Sequence, residues 1–114
     1  MTTLYGISNC DKVRAARKWL EANGIEYHFY DTRKLGIDES TLRSWIAQFG
    51  LKKVLNRQST SWRQLSETCK QDLTEEGAIT LMVERVTLIK RPLLSHNDTL
   101  TIGFKAESYQ EFFS

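Results

Sequence analysis

A chain of 114 residues with 40% hydrophobic, 26% charged and 11% aromatic residues and a single proline has the length and composition of one globular domain. That excludes a disordered tail, a collagen-like repeat and a disulfide-dense mini-protein, and no apolar run approaches the roughly 18 to 20 residues a transmembrane helix needs. Sixteen basic against 14 acidic side chains give a net charge of +2, too near balance for generic nucleic-acid binding.

In chain order, Thr3-Leu4-Tyr5-Gly6-Ile7 reads as a short apolar strand. It is followed by a polar turn, Ser8-Asn9-Cys10-Asp11. From Asp11 the period becomes 3.6, with Val13, Ala16 and Leu20 on one stripe and Arg14, Arg17, Lys18 and Glu21 off it, and Gly24 ends that helix. Ile25 to Tyr30 alternates as a second strand, and a strand-helix-strand of this length implies two parallel strands. Asp38 caps a helix carrying Leu42, Ile46 and Phe49, stopped at Gly50. Ser61-Trp62-Arg63-Gln64 has capping-box spacing for a short helix through Leu65, and Thr74-Glu75-Glu76 opens another. Val86 to Ile89 reads as strand, Pro92 follows, and Leu93-Leu94 and Leu100 to Phe104 pair across a His96-Asn97-Asp98 turn. A final helix over about Ala106 to Phe113 lays Tyr109, Phe112 and Phe113 on the sheet. This order predicts one thioredoxin-like α/β domain over residues 1–114, with a mixed four-stranded sheet and a helical insertion at about 38–85.

Charge is uneven along the chain. Residues 1–57 hold 10 basic and 6 acidic side chains (+4), and residues 58–114 hold 6 and 8 (−2). A local basic site for a small anion fits this; so does an ordinary solvated surface. Two cysteines, Cys10 and Cys69, are too few for a disulfide framework, and neither histidine, His28 or His96, stands at ligand spacing from a cysteine, so no metal site and no bound cofactor is expected. Free cysteines, and a start at Met1-Thr2-Thr3 with no basic or apolar leader, point to a reducing, cytoplasmic compartment.

Cys10 carries the chemistry. At a strand-to-helix junction its sulfur lies near the free N–H groups of a helical first turn, and those groups with the helix dipole favour the thiolate. Lys12 and Arg14 add positive charge within the same turn. Such a thiol titrates well below the ordinary cysteine value and is nucleophilic at neutral pH; the competing reading is a small buried apolar residue. Position 13 is Val, so no Cys-x-x-Cys dithiol exists in that helix. Cys69, in a polar helical stretch, reads as structural or surface. The lone proline makes Arg91-Pro92 a second constellation. In a thioredoxin-like domain a cis-proline faces the active cysteine, and Arg91 would then offer a planar fork to an oxyanion or carboxylate; in isolation Lys90-Arg91-Pro92 is a surface turn. Arg57 and Lys105 are further basic candidates.

Tyr5-Gly6-Ile7-Ser8-Asn9-Cys10-Asp11, Ala16-Arg17-Lys18-Trp19-Leu20, Val54-Leu55-Asn56-Arg57 with Ser61-Trp62-Arg63-Gln64-Leu65, Ile89-Lys90-Arg91-Pro92-Leu93-Leu94 and the closing Ile102-Gly103-Phe104-Lys105 together resemble the arsenate reductase (ArsC/Spx) family, in its YffB-like branch. The resemblance implies a thioredoxin-like fold, a nucleophilic Cys10, Arg91 before a cis-Pro92 holding an anion, and glutathione as the outside thiol, with glutaredoxin as a possible recycling partner. Lys12, Arg14 and Arg57 are the further residues expected to bind the anionic partner. Of the family's other two arginines, one falls at Asn56, beside Arg57, and the other has only Lys105 nearby, so a three-arginine oxyanion cage is not reproduced. Three functions follow as expectations: a glutathione-dependent thiol reductase with a single nucleophilic cysteine, an arsenate reductase, or a non-catalytic Spx-like adaptor that binds RNA polymerase. The adaptor relatives typically carry the Cys-x-x-Cys that this chain lacks. No nucleic acid and no membrane is expected as a direct partner.

Overall fold

Strand β1 (Thr2–Gly6) is the organising element, because both of its neighbours in the sheet pair with it in opposite senses. It runs parallel to β2 (His28–Asp31), with Leu4 opposite Phe29, and antiparallel to β3 (Leu93–His96), with Leu4 opposite Leu94. β4 (Thr99–Ile102) adds to β3, giving the order β2-β1-β3-β4 in a mixed sheet. The β3–β4 turn has positive φ at both Asn97 (48°) and Asp98 (66°), the conformation a two-residue hairpin matching strand twist requires. The computed structural model describes residues 1–114. They divide into two compact units, Met1–Leu35 with Arg91–Ser114, and Gly36–Lys90.

In the first unit, helix α1 (Asp11–Ala22) follows β1 and buries Val13, Ala16 and Leu20, the stripe read from the sequence. It stops because Ile25 N–H bonds back to Leu20 C=O (3.0 Å) and Gly24 N–H to Glu21 C=O (3.2 Å), with Gly24 at φ +68°. These bonds take Ile25 out of the sheet, so β2 begins at His28 rather than at Ile25. A one-turn helix, α2 (Thr32–Leu35), follows β2. The core is Leu4, Val13, Ala16, Leu20, Leu94 and Tyr109, with Phe29, Trp19, Phe104, Phe112 and Phe113 packed around it. Tyr109 sits on the last helix, α8 (Ala106–Phe112), and meets Trp19 and Phe104 edge-on at ring-centroid distances of 5.5 and 4.8 Å. Arg17 is absorbed by this unit: its guanidinium lies 4.3 Å from the Phe29 ring centre and its Nε donates to Tyr27 Oη at 3.0 Å.

The second unit is helical. α3 (Glu39–Phe49) is capped by Asp38, whose carboxylate accepts from Thr41 N–H at 2.8 Å, and α4 (Leu51–Val54) follows directly after Gly50. α5 (Thr60–Arg63) and α6 (Glu67–Gln71) are single turns, and α7 (Glu75–Glu84) is capped by Thr74. α3 and α7 lie against each other, with Leu42, Trp45 and Ile46 buried on the one and Ala78, Ile79 and Met82 on the other. Two expectations fail here for local reasons. The α5 cap is Ser59, which accepts from Trp62 N–H at 3.1 Å, while Ser61 hydrogen-bonds Thr87 instead. Val86–Leu88 is a 3₁₀ turn rather than a strand, and only Ile89 bridges, antiparallel to Leu55. No helix is long and apolar enough to cross a membrane.

Candidate active site

β1 ends at Gly6 and the chain turns through Ile7-Ser8-Asn9, with Cys10 N–H bonded to Ile7 C=O at 3.1 Å. Cys10 keeps extended backbone (φ −90°, ψ 129°) and its carbonyl receives Arg14 N–H at 2.9 Å, so it is the N-cap residue of α1. The turn is held close to the helix by a missing side chain. A Cβ on Gly6 would lie 2.6 Å from Val13 Cγ2, so only glycine lets β1 and the first turn of α1 approach so nearly. Thr32 hydroxyl donates to the Gly6 carbonyl at 3.3 Å, closing the strand end from the other side.

The Cys10 sulfur is half-buried against the core of its unit and is a free thiol. Burial pushes its pKa up. Three groups outweigh that: the backbone N–H of Val13, the Arg91 side chain by hydrogen bond and by charge, and the backbone N–H of Lys12, and the net result is a thiol held below the ordinary cysteine value. The Cys10 side chain closes no capping hydrogen bond on the helix, so the first turn favours the thiolate through its dipole and free N–H groups.

Arg91 is half-buried and precedes Pro92, and the peptide bond between them is cis. The Pro92 carbonyl accepts Gly103 N–H at 2.8 Å, tying the start of β3 to the residue after β4. Pro92 itself is buried, so the segment bearing Arg91 is held at the open end of the hairpin.

The remaining candidates are placed differently. Lys12 is exposed, and its backbone N–H rather than its ammonium acts on Cys10. Arg14 is exposed and directed onto Asp11, three residues earlier, in an ion pair. Arg57 belongs to the second unit and lies over the Trp62 ring, 5.5 Å from its centre. Lys105 is the N-cap of α8. Cys69, in α6, is a half-buried free thiol whose own N–H bonds to Ser66 Oγ at 3.1 Å. No three His, Cys, Asp or Glu side chains stand together as a metal site. Two residues escaped the sequence reading. Val13 contributes its amide as well as its apolar side chain, and Gly6 sets the spacing of strand and helix; a glycine ending a strand four residues before a cap position was the available signal.

A free, half-buried thiol at a helix N-cap, held below the ordinary cysteine value, is a site for a nucleophilic sulfur. A family model described as the ArsC family matches residues 5–112. The chain belongs to the ArsC family. An uncharacterized protein of Haemophilus influenzae is 40% identical over 114 residues, covering 100% of both chains. Among solved structures, a YffB protein is 41% identical, covers 97% of each chain and superposes with a TM-score of 0.92. An arsenate reductase (ArsC) related protein from Brucella melitensis is 38% identical, covers 98% of this chain and 93% of its own, and superposes at 0.78. The resemblance read from Tyr5–Asp11, Arg91-Pro92 and Ile102–Lys105 is thereby borne out. So is the thioredoxin-like α/β class, with its mixed four-stranded sheet.

Proposed function

We propose that this ArsC-family protein is a glutathione-dependent thiol reductase working with one protein sulfur, Cys10. The observation that carries the reading is a free, half-buried Cys10 at the N-cap of α1, held below the ordinary cysteine value by Arg91 and the first-turn amides. In the first half-reaction the Cys10 thiolate attacks the glutathione sulfur of a mixed disulfide. A Cys10–glutathione disulfide forms, and the substrate leaves as a thiolate. A second glutathione thiolate then attacks that disulfide, releasing oxidised glutathione and restoring Cys10 as thiolate. In sum one glutathione thiolate enters, the mixed disulfide leaves as substrate thiolate and oxidised glutathione, and no second protein thiol is required. Val13 standing where a dithiol motif has its second cysteine agrees with this cycle and counts against a redox-switched adaptor.

Glutathione carries two carboxylates. Arg91 offers one of them a planar fork, and its charge also stabilises each thiolate formed at Cys10. Arsenate reduction is the less favoured chemistry, because one of the family's other two oxyanion arginines falls at Asn56 and the other has only Lys105 nearby.

A coupled assay with glutathione, glutathione reductase, NADPH and hydroxyethyl disulfide tests the reading. The wild type and Cys69→Ser should consume NADPH, and Cys10→Ser should not. Turnover that survives in Cys10→Ser, or NADPH consumption that requires arsenate in place of the disulfide, would refute it.

A further inference from the structure

The second unit carries a run of basic side chains of its own. Between Ser40 and Ser66 there are five basic side chains, Arg43, Lys52, Lys53, Arg57 and Arg63, and no Asp or Glu. Arg43 is neutralised by Glu39 and Glu76, with its guanidinium 2.8 and 2.6 Å from the two Glu76 oxygens. The other four are exposed and take part in no ion pair.

The fold brings a fifth free cation to them. Lys90 N–H donates to Val54 C=O at 2.8 Å, and Asn56 N–H donates to Leu88 C=O at 2.7 Å, around the Leu55–Ile89 bridge. Exposed Lys90 therefore stands beside the end of α4, which bears Lys52 and Lys53. Three residues past Val54, Arg57 crosses the Trp62 ring, and Lys70 Nζ lies 5.7 Å from the same ring centre. Trp62 is half-buried, and Arg63 follows it on α5.

Unpaired like charges at this density repel one another and oppose folding. In the same unit that cost is relieved for two cations, by Glu39 and Glu76 on Arg43 and by Glu67 on Lys70. Lys52, Lys53, Arg57, Arg63 and Lys90 have no such ion pair. A half-buried indole among arginines is also the composition of an interface centre, where Trp and Arg are the residue types enriched.

We infer that Lys52, Lys53 and Lys90 at the end of α4, with Arg57 over the Trp62 ring and Arg63 after it on α5, form a docking surface for an acidic patch on a partner protein. A compact acidic patch fits better than a nucleic acid. In sequence the basic run is bounded by Asp38 and Glu39 before it and by Glu67, Asp72, Glu75 and Glu76 after it, and Glu67 reaches Lys70 beside Trp62. An extended polyanion would overrun onto those carboxylates; a patch of limited size would not. The inference holds whatever reaction Cys10 performs.

The test is an amide chemical-shift titration of the isotopically labelled full chain with a ten-residue polyglutamate peptide at low salt, in parallel with a single-stranded DNA of ten nucleotides. The peptide should shift the amides around Lys52, Lys53, Trp62, Arg63 and Lys90 and the Trp62 indole N–H, and leave Lys12 and Arg14 unmoved. The triple variant Lys52→Ala/Lys53→Ala/Arg63→Ala, whose three positions are all exposed, should bind at least about tenfold more weakly while its remaining spectrum is unchanged. Absence of any shift at about millimolar peptide, the regime of contacts worth only about 4 kcal/mol, would overturn the inference. So would shifts centred on α1, or unchanged peptide binding by the triple variant. Tighter binding of the DNA at the same residues would replace the acidic protein with a nucleic acid.

Discussion

Gly6 and Val13 are in contact across the turn that carries Cys10: a methyl group on Gly6 would meet Val13 Cγ2 at 2.6 Å. Neither partner has room to give, because Val13 is fully buried in the core with Leu4 and Leu94.

Gly6→Ala is therefore an overpacking substitution and should cost about 1–3 kcal/mol in urea denaturation. Shortening the opposing side chain removes the clash, so Gly6→Ala/Val13→Ala should be less destabilised than the sum of the two single variants. Additive costs would mean that the strand and helix do not approach as described.

Tyr109 is the one core residue of this unit with a polar tip, and its hydroxyl is buried with no hydrogen-bond partner. Burial also pushes its pKa up, with no neighbouring charge contributing. An unsatisfied buried donor costs about 1–3 kcal/mol, so Tyr109→Phe, which keeps the ring contacts with Trp19 and Phe104, should leave stability unchanged or raise it by up to about 1 kcal/mol. A loss of more than about 1 kcal/mol on thermal or urea unfolding would show that the hydroxyl has a partner.

Most of the architecture was legible because local and global preferences agree. Val13, Ala16 and Leu20 share a stripe, Asp38 and Thr74 cap the helices they precede, and Asn97-Asp98 suits a tight hairpin. Reading failed where tertiary bonds decide between equal local choices. Val86-Thr87-Leu88-Ile89 has strand composition, yet Leu88 and Lys90 spend their backbone groups on Asn56 and Val54 across a single bridge. Ser59 and Ser61 are equally good caps by type, and only the position of Thr87 assigns Ser61 elsewhere. At the site, the strand-to-helix junction marked Cys10 from sequence alone. The Asp11–Arg14 pair, an i,i+3 contact within one turn, was also readable but was passed over. Arg91, 81 residues from Cys10, was marked by the chain's lone proline, and the resemblance then gave it its role.

The pKa of Cys10 ties the site to stability. Its folded-state value lies below that of a solvated cysteine, so the unfolded chain binds the extra proton in the window between the two. Stability conferred by the thiolate is then fully present above the unfolded-state pKa of about 8.5 and is lost as pH falls through the folded-state pKa. Wild type should gain on Cys10→Ser as pH rises through that window, and the difference should be flat below it. Unfolding midpoints of both proteins from about pH 4 to about pH 9.5, a span that brackets an ordinary cysteine, measure this. A difference that is constant, or that grows toward acid, contradicts a stabilised thiolate.

The central claim is that Arg91 and the first turn of α1 together make Cys10 a reactive thiolate, and the rate of Cys10 alkylation by iodoacetamide as a function of pH tests it most directly. Measured in Cys69→Ser, so that a single thiol reports, the midpoint should lie below that of a model cysteine peptide. Adding Arg91→Ala should move it up without restoring the peptide value, because the Val13 and Lys12 amides remain; Arg91→Lys, which keeps the charge, should move it less. A parent midpoint equal to the peptide's, or an Arg91→Ala midpoint equal to the parent's, would contradict the account.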